Sequence, residues 1–419
     1  MTGLLAIYAF DDLWNLGPYI RYGLMSLQHR GAENYVVCIS EGDVKCYTAN
    51  NIDNVSEHVA TNKVIAATYS NRDEALYIHK EDGLDIAVLA DIPNAVLEEV
   101  AKELSRALKK DGTVKGVTRA LENFGAKEYI PSFIAITNRG DIIVWRSVSG
   151  LTPLVLGGYG FDMAIVSSET TAIDILGADT RRFLLPGEGL LISRYLLTKF
   201  NTASAINPRL CLFEILYLAR HDAIVDNVSV YSFRKSLGKE LGERFNRDVD
   251  VVVGVPETAI PYAIGFSQTI NKPFELAFIA TGGRVRSMLR FDPREKLIAI
   301  HLKMNPIRHS LEGKRVAIVD DSMVTGSTIK TISQILRYRV GVDEVHLLIA
   351  SPPLISTCPY NIMKLDMESL LAANLSKEMA LKYLEVDSLS WLQPEVIDSV
   401  AKMYRLKLCG KCFGREFFG

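Results

Sequence analysis

Residues 315–328 read Arg315-Val316-Ala317-Ile318-Val319-Asp320-Asp321-Ser322-Met323-Val324-Thr325-Gly326-Ser327-Thr328. The apolar run predicts a short buried strand that ends on two adjacent carboxylates, and a loop of small hydroxyl residues with one glycine follows. Apolar residues then recur at helical spacing, at Ile329, Ile332, Ile335, Leu336 and Val340. A strand, an acid pair, a small-residue loop and a helix in this order predict a βα unit of a parallel sheet.

The loop after the acid pair has the chemistry of a sugar-phosphate site. Backbone N–H groups at a helix N-terminus attract an anion, and Ser and Thr hydroxyls add donors. Gly326 lets the backbone approach a phosphate closely, and the two carboxylates suit the paired hydroxyls of a ribose. An ordinary βα turn without a ligand is the alternative. The loop is neither a Walker A motif nor a dinucleotide-binding fingerprint.

Length and composition predict a globular protein of two domains. The chain has 419 residues, of which 48% are hydrophobic and 23% charged. A net charge of −2 gives no support for nucleic-acid or membrane binding. No apolar stretch is long enough to cross a bilayer, and no basic segment precedes the first apolar residues. We therefore expect a cytoplasmic protein without a signal peptide.

The first half of the chain has the pattern of antiparallel sheets with helices outside. Short apolar runs such as Phe133–Thr137 and Ile142–Trp145 are separated by turn residues, and Val96–Lys110 has helical periodicity. The stretch Leu197–Pro208 is polar and lacks strong periodicity. We place the domain boundary there, which gives domains of residues 1–200 and 201–419.

The second half alternates strands with helices. Val251–Val255 is predicted as a strand, Ala259–Thr269 as a helix, Phe274–Ile279 as a second strand and Val345–Ile349 as a further one. This alternation predicts a doubly wound parallel sheet. Ligands of such sheets bind beyond the carboxyl ends of the strands, which is where the Asp320–Asp321 loop is expected.

Several motifs occur in a fixed order across both halves of the chain. They are Leu27-Gln28-His29-Arg30-Gly31, Ser167-Ser168-Glu169-Thr170, the segment 211–222, Leu311-Glu312-Gly313-Lys314-Arg315, the segment 320–328 and Ser351-Pro352-Pro353. These motifs resemble those of the glutamine phosphoribosylpyrophosphate amidotransferase (amidophosphoribosyltransferase) family, whose members catalyse the opening step of purine biosynthesis. The resemblance implies an α/β protein with an N-terminal Ntn-hydrolase-like αββα sandwich, the glutaminase-like domain. It also implies a C-terminal type I phosphoribosyltransferase domain with a doubly wound parallel sheet.

The resemblance assigns roles in binding phosphoribosylpyrophosphate (PRPP). Asp320 and Asp321 would hold the ribose hydroxyls, and Lys303 would contact the pyrophosphate, with Mg²⁺ arriving on the substrate. Ammonia would displace pyrophosphate from C1. The residues expected to act in catalysis are Asp320, Asp321, Lys303 and Arg286. The remaining residues expected to bind the substrate are Ser322, Val324, Thr325, Gly326, Ser327, Thr328, Glu257 and Thr258.

Two loops depart from the family pattern. The pyrophosphate loop is Pro-Asp-Ser-Gly-like in the family, whereas this chain has Pro256-Glu257-Thr258-Ala259. The closing loop of the family has a Lys-Asn-Arg-Tyr run, and the matching residues here are Ala280-Thr281-Gly282-Gly283. Fewer preorganised cations would weaken stabilisation of the leaving pyrophosphate. Arg284, Arg286 and Arg290 are the nearby cations that would compensate.

The glutaminase positions of the family are replaced. Thr2 stands where the family has its nucleophilic cysteine, and Thr68 stands where an arginine grips the glutamine carboxylate. Ile92 and Pro93 replace the Asn-Gly pair of the oxyanion hole, and proline has no N–H donor. An N-terminal threonine can act as a nucleophile if Met1 is removed, but its supporting residues are replaced too. We therefore expect a retained fold without glutaminase activity.

Six cysteines are too few for a disulfide scaffold in a chain of this size. Cys38 and Cys46 lie in strand patterns and are expected to be thiols in the core. Cys409-Gly410-Lys411-Cys412 alone is open to zinc, an iron–sulfur cluster, a redox pair or no ligand. The resemblance implies a structural [4Fe–4S] cluster held by Cys211, Cys358, Cys409 and Cys412, with zinc or empty thiols as alternatives.

Three functions are compatible with these residues. The first is an amidophosphoribosyltransferase-type enzyme that makes 5-phosphoribosylamine and pyrophosphate from PRPP and ammonia. The alternative is a non-catalytic or regulatory subunit that pairs with an active paralogue. The third is a phosphoribosyltransferase with another acceptor. We expect a homo-oligomer or a hetero-oligomer with a paralogous subunit.

Overall fold

The computed structural model describes residues 2–70, 75–81, 83–90, 95–110, 114–124, 130–202, 207–279 and 304–417. The chain forms two compact units. The first comprises Met1–Val230, Cys358–Lys364 and Lys407–Cys409, and the second comprises Tyr231–Thr357, Leu365–Leu406 and Gly410–Gly419. The boundary predicted at residue 200 lies inside the first unit, because residues 207–230 pack with it. None of the described helices is long and apolar enough to cross a membrane.

Two antiparallel sheets build the first unit. The seven-stranded sheet has the order β11-β9-β10-β1-β4-β2-β3, and the six-stranded sheet has the order β13-β12-β8-β7-β6-β5. The strands are β1 (Thr2–Ala9), β2 (Asn34–Ser40), β3 (Val44–Ala49), β4 (Lys63–Tyr69), β5 (Leu76–Glu81), β6 (Leu84–Ala90), β7 (Phe133–Thr137), β8 (Ile142–Trp145), β9 (Val155–Tyr159), β10 (Met163–Ser167), β11 (Asp179–Phe183), β12 (Glu188–Ser193) and β13 (Leu196–Asn201).

Helices cover the outer faces of both sheets. Side chains alternate along a strand, so β1 directs Leu5 and Ile7 into the layer beneath the helices and Leu4 and Ala6 into the layer between the sheets. A third layer lies between the six-stranded sheet and its helices. This is the expected αββα sandwich. The helices are α1 (Gly17–Ser26), α2 (Ile52–Ser56), α3 (Ala95–Lys110), α4 (Val114–Phe124) and α5 (Thr170–Ile175).

The expectation of thiols at Cys38 and Cys46 is wrong. These two residues lie directly opposite each other in the β2–β3 ladder, and their sulfurs form a disulfide. Cys38 is fully buried, whereas Cys46 is half-buried on the edge strand β3. The antiparallel register brings the two Cβ atoms together, and the sequence does not contain that register explicitly.

Two small strand pairs complete the first unit. β14 (Leu210–Cys211) runs parallel to β23 (Leu408–Cys409), and β15 (Ile224–Val225) is antiparallel to β16 (Val228–Ser229). A short π-helix, Glu214–Leu218, follows β14. These two strand pairs therefore hold the segment just before Val230 in the first unit.

A four-stranded parallel sheet of order β17-β20-β21-β22 forms the centre of the second unit. The alternation predicted from the sequence is confirmed in this sheet. The elements are α6 (Val230–Glu243), β17 (Val251–Gly254), α7 (Ile260–Ile270), β18 (Phe278–Ile279), β19 (Asn305–Pro306), β20 (Arg315–Asp320), α8 (Ser327–Ile335), β21 (Glu344–Ile349), α9 (Leu371–Asn374), α10 (Lys377–Leu384), β22 (Ser388–Trp391) and α11 (Pro394–Met403).

The strand predicted over Phe274–Ile279 is much shorter than expected. Phe274 forms only an isolated bridge to Val252, and the regular strand is limited to Phe278–Ile279, paired with β19. Leu276, between them, is 56% exposed. An apolar segment that has no neighbouring strand to pair with does not form a regular β-strand.

Candidate active site

The acid pair lies at the carboxyl end of a buried strand. Asp320 ends β20, and Asp321 follows it directly. The N–H of Asp321 donates to Asp320 Oδ1 at 3.0 Å, and the Ser322 hydroxyl donates to Asp321 Oδ2 at 2.6 Å. Both aspartates are buried, at 9% and 4% exposure. Two carboxyl groups are thus held side by side, so a negative charge on one makes ionisation of the other less favourable.

Burial and mutual repulsion make these carboxyls weak acids. Burial, together with the neighbouring Asp321 charge, raises the pKa of Asp320 well above its usual value. Burial raises the pKa of Asp321 to about 6, although the Ser322 hydroxyl and Arg234 oppose the rise. A ligand that donates two hydroxyls would relieve this penalty, since hydrogen bonds to the charged form favour it.

The small-residue loop turns directly into a helix. Gly326 has φ 71° and precedes α8, and a Cβ there would lie 2.5 Å from Leu371 Cδ1. Thr325 and Ser327 share a hydroxyl contact of 2.8 Å, and the Ser327 N–H donates to Thr325 Oγ1 at 3.2 Å. Thr325, Ser327 and Thr328 are exposed. The loop therefore presents hydroxyls and a helix N-terminus at the sheet edge, as an anion site requires.

A second loop reaches the same edge of the sheet. β17 lies beside β20 in parallel register, with Gly254 opposite Val319, so the residues after β17 emerge next to the acid pair. The Val255 N–H donates to the Val319 carbonyl at 3.0 Å. Glu257 is exposed and Thr258 half-buried. The structure thus brings Glu257 and Thr258 to the carboxyl edge together with Asp320, Asp321 and residues 322–328.

Two further residues, Arg234 and Tyr262, lie at this site and are not among those predicted from the sequence. Arg234 on α6 is 1% exposed, and Tyr262 on α7 is fully buried. The Arg234 guanidinium shares a side-chain hydrogen bond with Tyr262 and lowers the pKa of Asp321 electrostatically. Burial raises the pKa of Tyr262 far above its usual value, so its phenol stays protonated. The positive charge of the buried Arg234 guanidinium therefore offsets part of the negative charge of the carboxylate pair.

A local sequence signal for Arg234 exists but is weak. It is a lone cation in the apolar stripe of a helix, which is a pattern that also describes a solvated side chain with a buried stem. The predicted cations Lys303, Arg286, Arg284 and Arg290 and the closing-loop residues 280–283 lie outside the described residues, as do Ile92 and Pro93.

Thr2 and Thr68, the residues that the resemblance places at glutaminase positions, are closely packed. Thr2 is 2% exposed, and its hydroxyl has no hydrogen-bond partner among the described residues. Thr68 is fully buried and donates its hydroxyl to the Gly31 carbonyl. A Cβ on Gly3 would lie 2.9 Å from the Leu27 and Thr68 side chains. Thr68 fills its surroundings with a methyl and a hydroxyl and presents no charge for a carboxylate.

A buried ion-pair cluster lies next to these residues. The Arg30 Nε is 2.5 Å from Glu169 Oε1, and the other side of its guanidinium binds Glu214. His29 Nε2 contacts Glu169 Oε1 at 2.5 Å. Burial alone would raise the pKa of Glu169, but Arg30 and His29 hold it at about 2, whereas burial raises the pKa of Glu214. The Arg30 guanidinium is therefore already paired with two carboxylates, those of Glu169 and Glu214.

The four cysteines outside the disulfide are Cys211, Cys358, Cys409 and Cys412. Cys211 lies opposite Cys409 in the parallel pair of β14 and β23. In the second unit the N–H groups of Ile355 and Ser356, just before Cys358, donate to the Cys412 carbonyl at 3.1 and 3.0 Å. Among the described residues, however, no three His, Cys, Asp or Glu side chains are arranged to hold a metal.

Comparisons with known proteins agree with the fold. A curated relative, the amidophosphoribosyltransferase of Bacillus subtilis, is 30% identical over 448 residues, which span 98% of this chain and 92% of the relative. The solved structure of glutamine PRPP amidotransferase from B. subtilis, complexed with ADP and GMP, aligns with a TM-score of 0.83 at 26% identity and covers 100% of this chain and 97% of that one.

A further solved structure, of the allosteric regulatory enzyme of purine biosynthesis, aligns with a TM-score of 0.82 at 25% identity and covers 100% of this chain and 96% of that one. No family model matches the sequence. The chain belongs to the amidophosphoribosyltransferase family. The Ntn-hydrolase-like sandwich and the phosphoribosyltransferase fold expected from the resemblance are confirmed.

Proposed function

We propose that this chain catalyses the amidophosphoribosyltransferase reaction of purine biosynthesis with ammonia as the nitrogen donor. PRPP and ammonia would give 5-phosphoribosylamine and pyrophosphate. The observation that carries the proposal is the buried Asp320–Asp321 pair, which is followed at once by a hydroxyl-rich loop and the N-terminus of α8. Carboxylates for ribose hydroxyls and N–H donors for the 5-phosphate stand at one edge of the sheet.

The chemistry is a displacement at C1 of the ribose. The bond from C1 to the pyrophosphate oxygen breaks, the ammonia lone pair forms the new C–N bond, and a proton leaves to water. Carboxylates favour the positive charge that develops on the ribose. The negative charge of the leaving group would be offset by Mg²⁺, held mostly by phosphate oxygens and water, and by Lys303 and Arg286. Glu257 and Thr258 would line the pyrophosphate side.

The first unit would keep its fold without hydrolysing glutamine. Thr68 offers no charge to a glutamine carboxylate, and the neighbouring Arg30 is held by Glu169 and Glu214. Thr2 is buried, and its hydroxyl has no hydrogen-bond partner among the described residues. A nucleophile without an activating partner is a weak one.

A [4Fe–4S] cluster held by Cys211, Cys358, Cys409 and Cys412 is part of the proposal. All four thiols lie outside the disulfide, and β14 sets Cys211 opposite Cys409. A cluster would cross-link the chain and stabilise it. Anaerobically purified protein should contain iron and acid-labile sulfide, and C409S/C412S should lose both. A protein that contains only zinc would contradict this part.

Pyrophosphate release tests the transferase reaction. Full-length protein with PRPP, Mg²⁺ and ammonium should release pyrophosphate, and the D320N/D321N variant should lose at least about a hundredfold in rate, as for removal of transition-state electrostatics. Release that requires an added paralogous subunit would favour the non-catalytic alternative, and equal rates in wild type and D320N/D321N would refute the assigned site.

A further inference from the structure

Residues 410–417 of the second unit form a short segment that folds back on itself, which we call the strap. The N–H of Arg415 donates to the Gly410 carbonyl at 3.3 Å. A Cβ on Gly410 would lie 2.1 Å from Phe417 Cε2. The Phe417 ring therefore rests directly on the Gly410 backbone, where only a glycine leaves room for it.

The middle of the strap is attached to the segment that follows β21. The N–H groups of Ile355 and Ser356 donate to the Cys412 carbonyl at 3.1 and 3.0 Å. Gly414 has φ 83°, and a Cβ there would lie 2.8 Å from Ile355 Cδ1. The strap therefore turns in close contact with the Ile355 side chain, in a backbone conformation that glycine adopts without strain.

The Arg415 side chain joins the strap to α11. Its guanidinium donates to Glu395 Oε1 at 3.0 Å and pairs with the Asp398 carboxylate. The same group lies over the Phe417 ring, 5.3 Å from the ring centroid. The side chains of Arg415 and Glu395 are 38% and 73% exposed. Ion pairs with this exposure are weak, and salt screens them.

Phe417 is the main anchor of the strap. Its side chain is fully buried, and an aromatic ring buries more apolar surface than most side chains do. The other attachments are a few hydrogen bonds and the exposed ion pairs of Arg415. A short segment held in this way opens locally at a lower free energy than the whole fold does.

We propose that opening of the strap controls the access of metal ions and thiol reagents to Cys412. The Cys412 side chain is 6% exposed when the strap is closed. Because Cys412 belongs to the strap, opening carries its thiol into solvent while the parallel sheet of the unit stays folded. The inference is independent of the proposed transferase reaction, and it holds whichever metal the cysteines bind.

Alkylation of the full-length protein by iodoacetamide tests the proposal, with the rate at Cys412 followed by peptide mass spectrometry. The reaction is run with and without a chelator, so that a bound metal does not hide the thiol. Phe417→Ala removes the buried anchor, so Cys412 should react at least about tenfold faster than in wild type. Phe266→Ala is the matched control, because Phe266 on α7 is also fully buried in this unit. It should lower the thermal midpoint without accelerating the reaction of Cys412.

A second variant weakens the attachment to α11 without changing the strap itself. E395Q/D398N removes both carboxylates that pair with Arg415. At low salt Cys412 should react about two- to fivefold faster than in wild type, the effect of losing exposed ion pairs. The difference should disappear at high salt, because salt already screens these pairs in wild type.

Two results would overturn the proposal. Equal acceleration of Cys412 in Phe417→Ala and Phe266→Ala would show that the thiol becomes accessible only when the whole unit unfolds. An unchanged rate in folded Phe417→Ala would show that the strap does not control access. If Phe417→Ala does not fold, E395Q/D398N decides, and a rate equal to that of wild type at low salt would count against the strap.

Discussion

At the scale of single residues, Asp320 and Asp321 are the groups that we propose to act in the chemistry. Their carboxyls are buried side by side, so the protein without substrate holds charge that is unfavourable for its own stability. Such stored instability is common in functional sites, where removing the group stabilises the fold and abolishes activity. Replacing these aspartates is therefore expected to raise the stability of the fold and to lower its activity.

Asp321→Asn should stabilise the substrate-free protein. The folded pKa of Asp321 is about 6, above its value of 3.8 in an unperturbed chain. A raised folded pKa penalises the folded state above pH 6, and the penalty disappears as the pH falls from about 6 toward 4. At pH 7.5 the variant should melt roughly 2–5 °C higher than wild type, and near pH 4 the difference should vanish.

Differential scanning calorimetry at both pH values measures this effect, with Asp343→Asn, an exposed change on the same chain, as the control. A lower melting temperature for Asp321→Asn at pH 7.5 would show that the carboxylate is stabilised rather than strained in the fold.

Arg234 is the positioning residue behind the acid pair. Arg234→Met removes the positive charge that stabilises the Asp321 carboxylate. The KM for PRPP should therefore rise by about tenfold or more, with a smaller change in kcat. Arg234→Lys should recover part of the affinity. Steady-state pyrophosphate release measures both constants, and Arg244→Met, which breaks an exposed pair with Glu240, serves as the control. Equal effects of Arg234→Met and Arg244→Met would remove Arg234 from the site.

At the scale of elements, the β2–β3 hairpin is closed by the Cys38–Cys46 disulfide. The two residues are 8 positions apart, and closing so short a loop restricts the unfolded chain by about 2–3 kcal/mol. C38A/C46A should therefore melt several degrees lower than wild type under non-reducing conditions. Reductant should lower the melting temperature of wild type and leave that of the variant unchanged. Six titratable thiols in unfolded, unreduced protein would contradict the disulfide.

The elements differ in how far their sequence predicts them. The β20–loop–α8 unit was predictable, because continuous burial of Val316–Val319 and the periodic residues of α8 are local patterns. The strand predicted at Phe274–Ile279 failed, because strand length depends on a pairing partner that a local pattern does not contain. The Cys38–Cys46 bond and the Arg234–Tyr262 contact likewise join residues that only the folded chain brings together.

For the whole molecule, our proposal is that the two units are preserved to different degrees as catalysts. The second unit has the acid pair, the hydroxyl loop and the neighbouring loop after β17 at one sheet edge. The first unit has the complete αββα layers, and the resemblance to the family puts Thr2 and Thr68 at its glutaminase positions. Family membership alone therefore predicts the fold of the first unit and does not predict glutamine hydrolysis.

The most direct test compares the two nitrogen donors in one assay on the full-length protein. With PRPP and Mg²⁺, ammonium should support pyrophosphate release, whereas glutamine should support none above background and should release no glutamate. The matched variant T2A should leave the ammonium rate unchanged. Release of pyrophosphate and glutamate with glutamine, lost in T2A, would contradict the account and would make Thr2 the nucleophile of a working glutaminase.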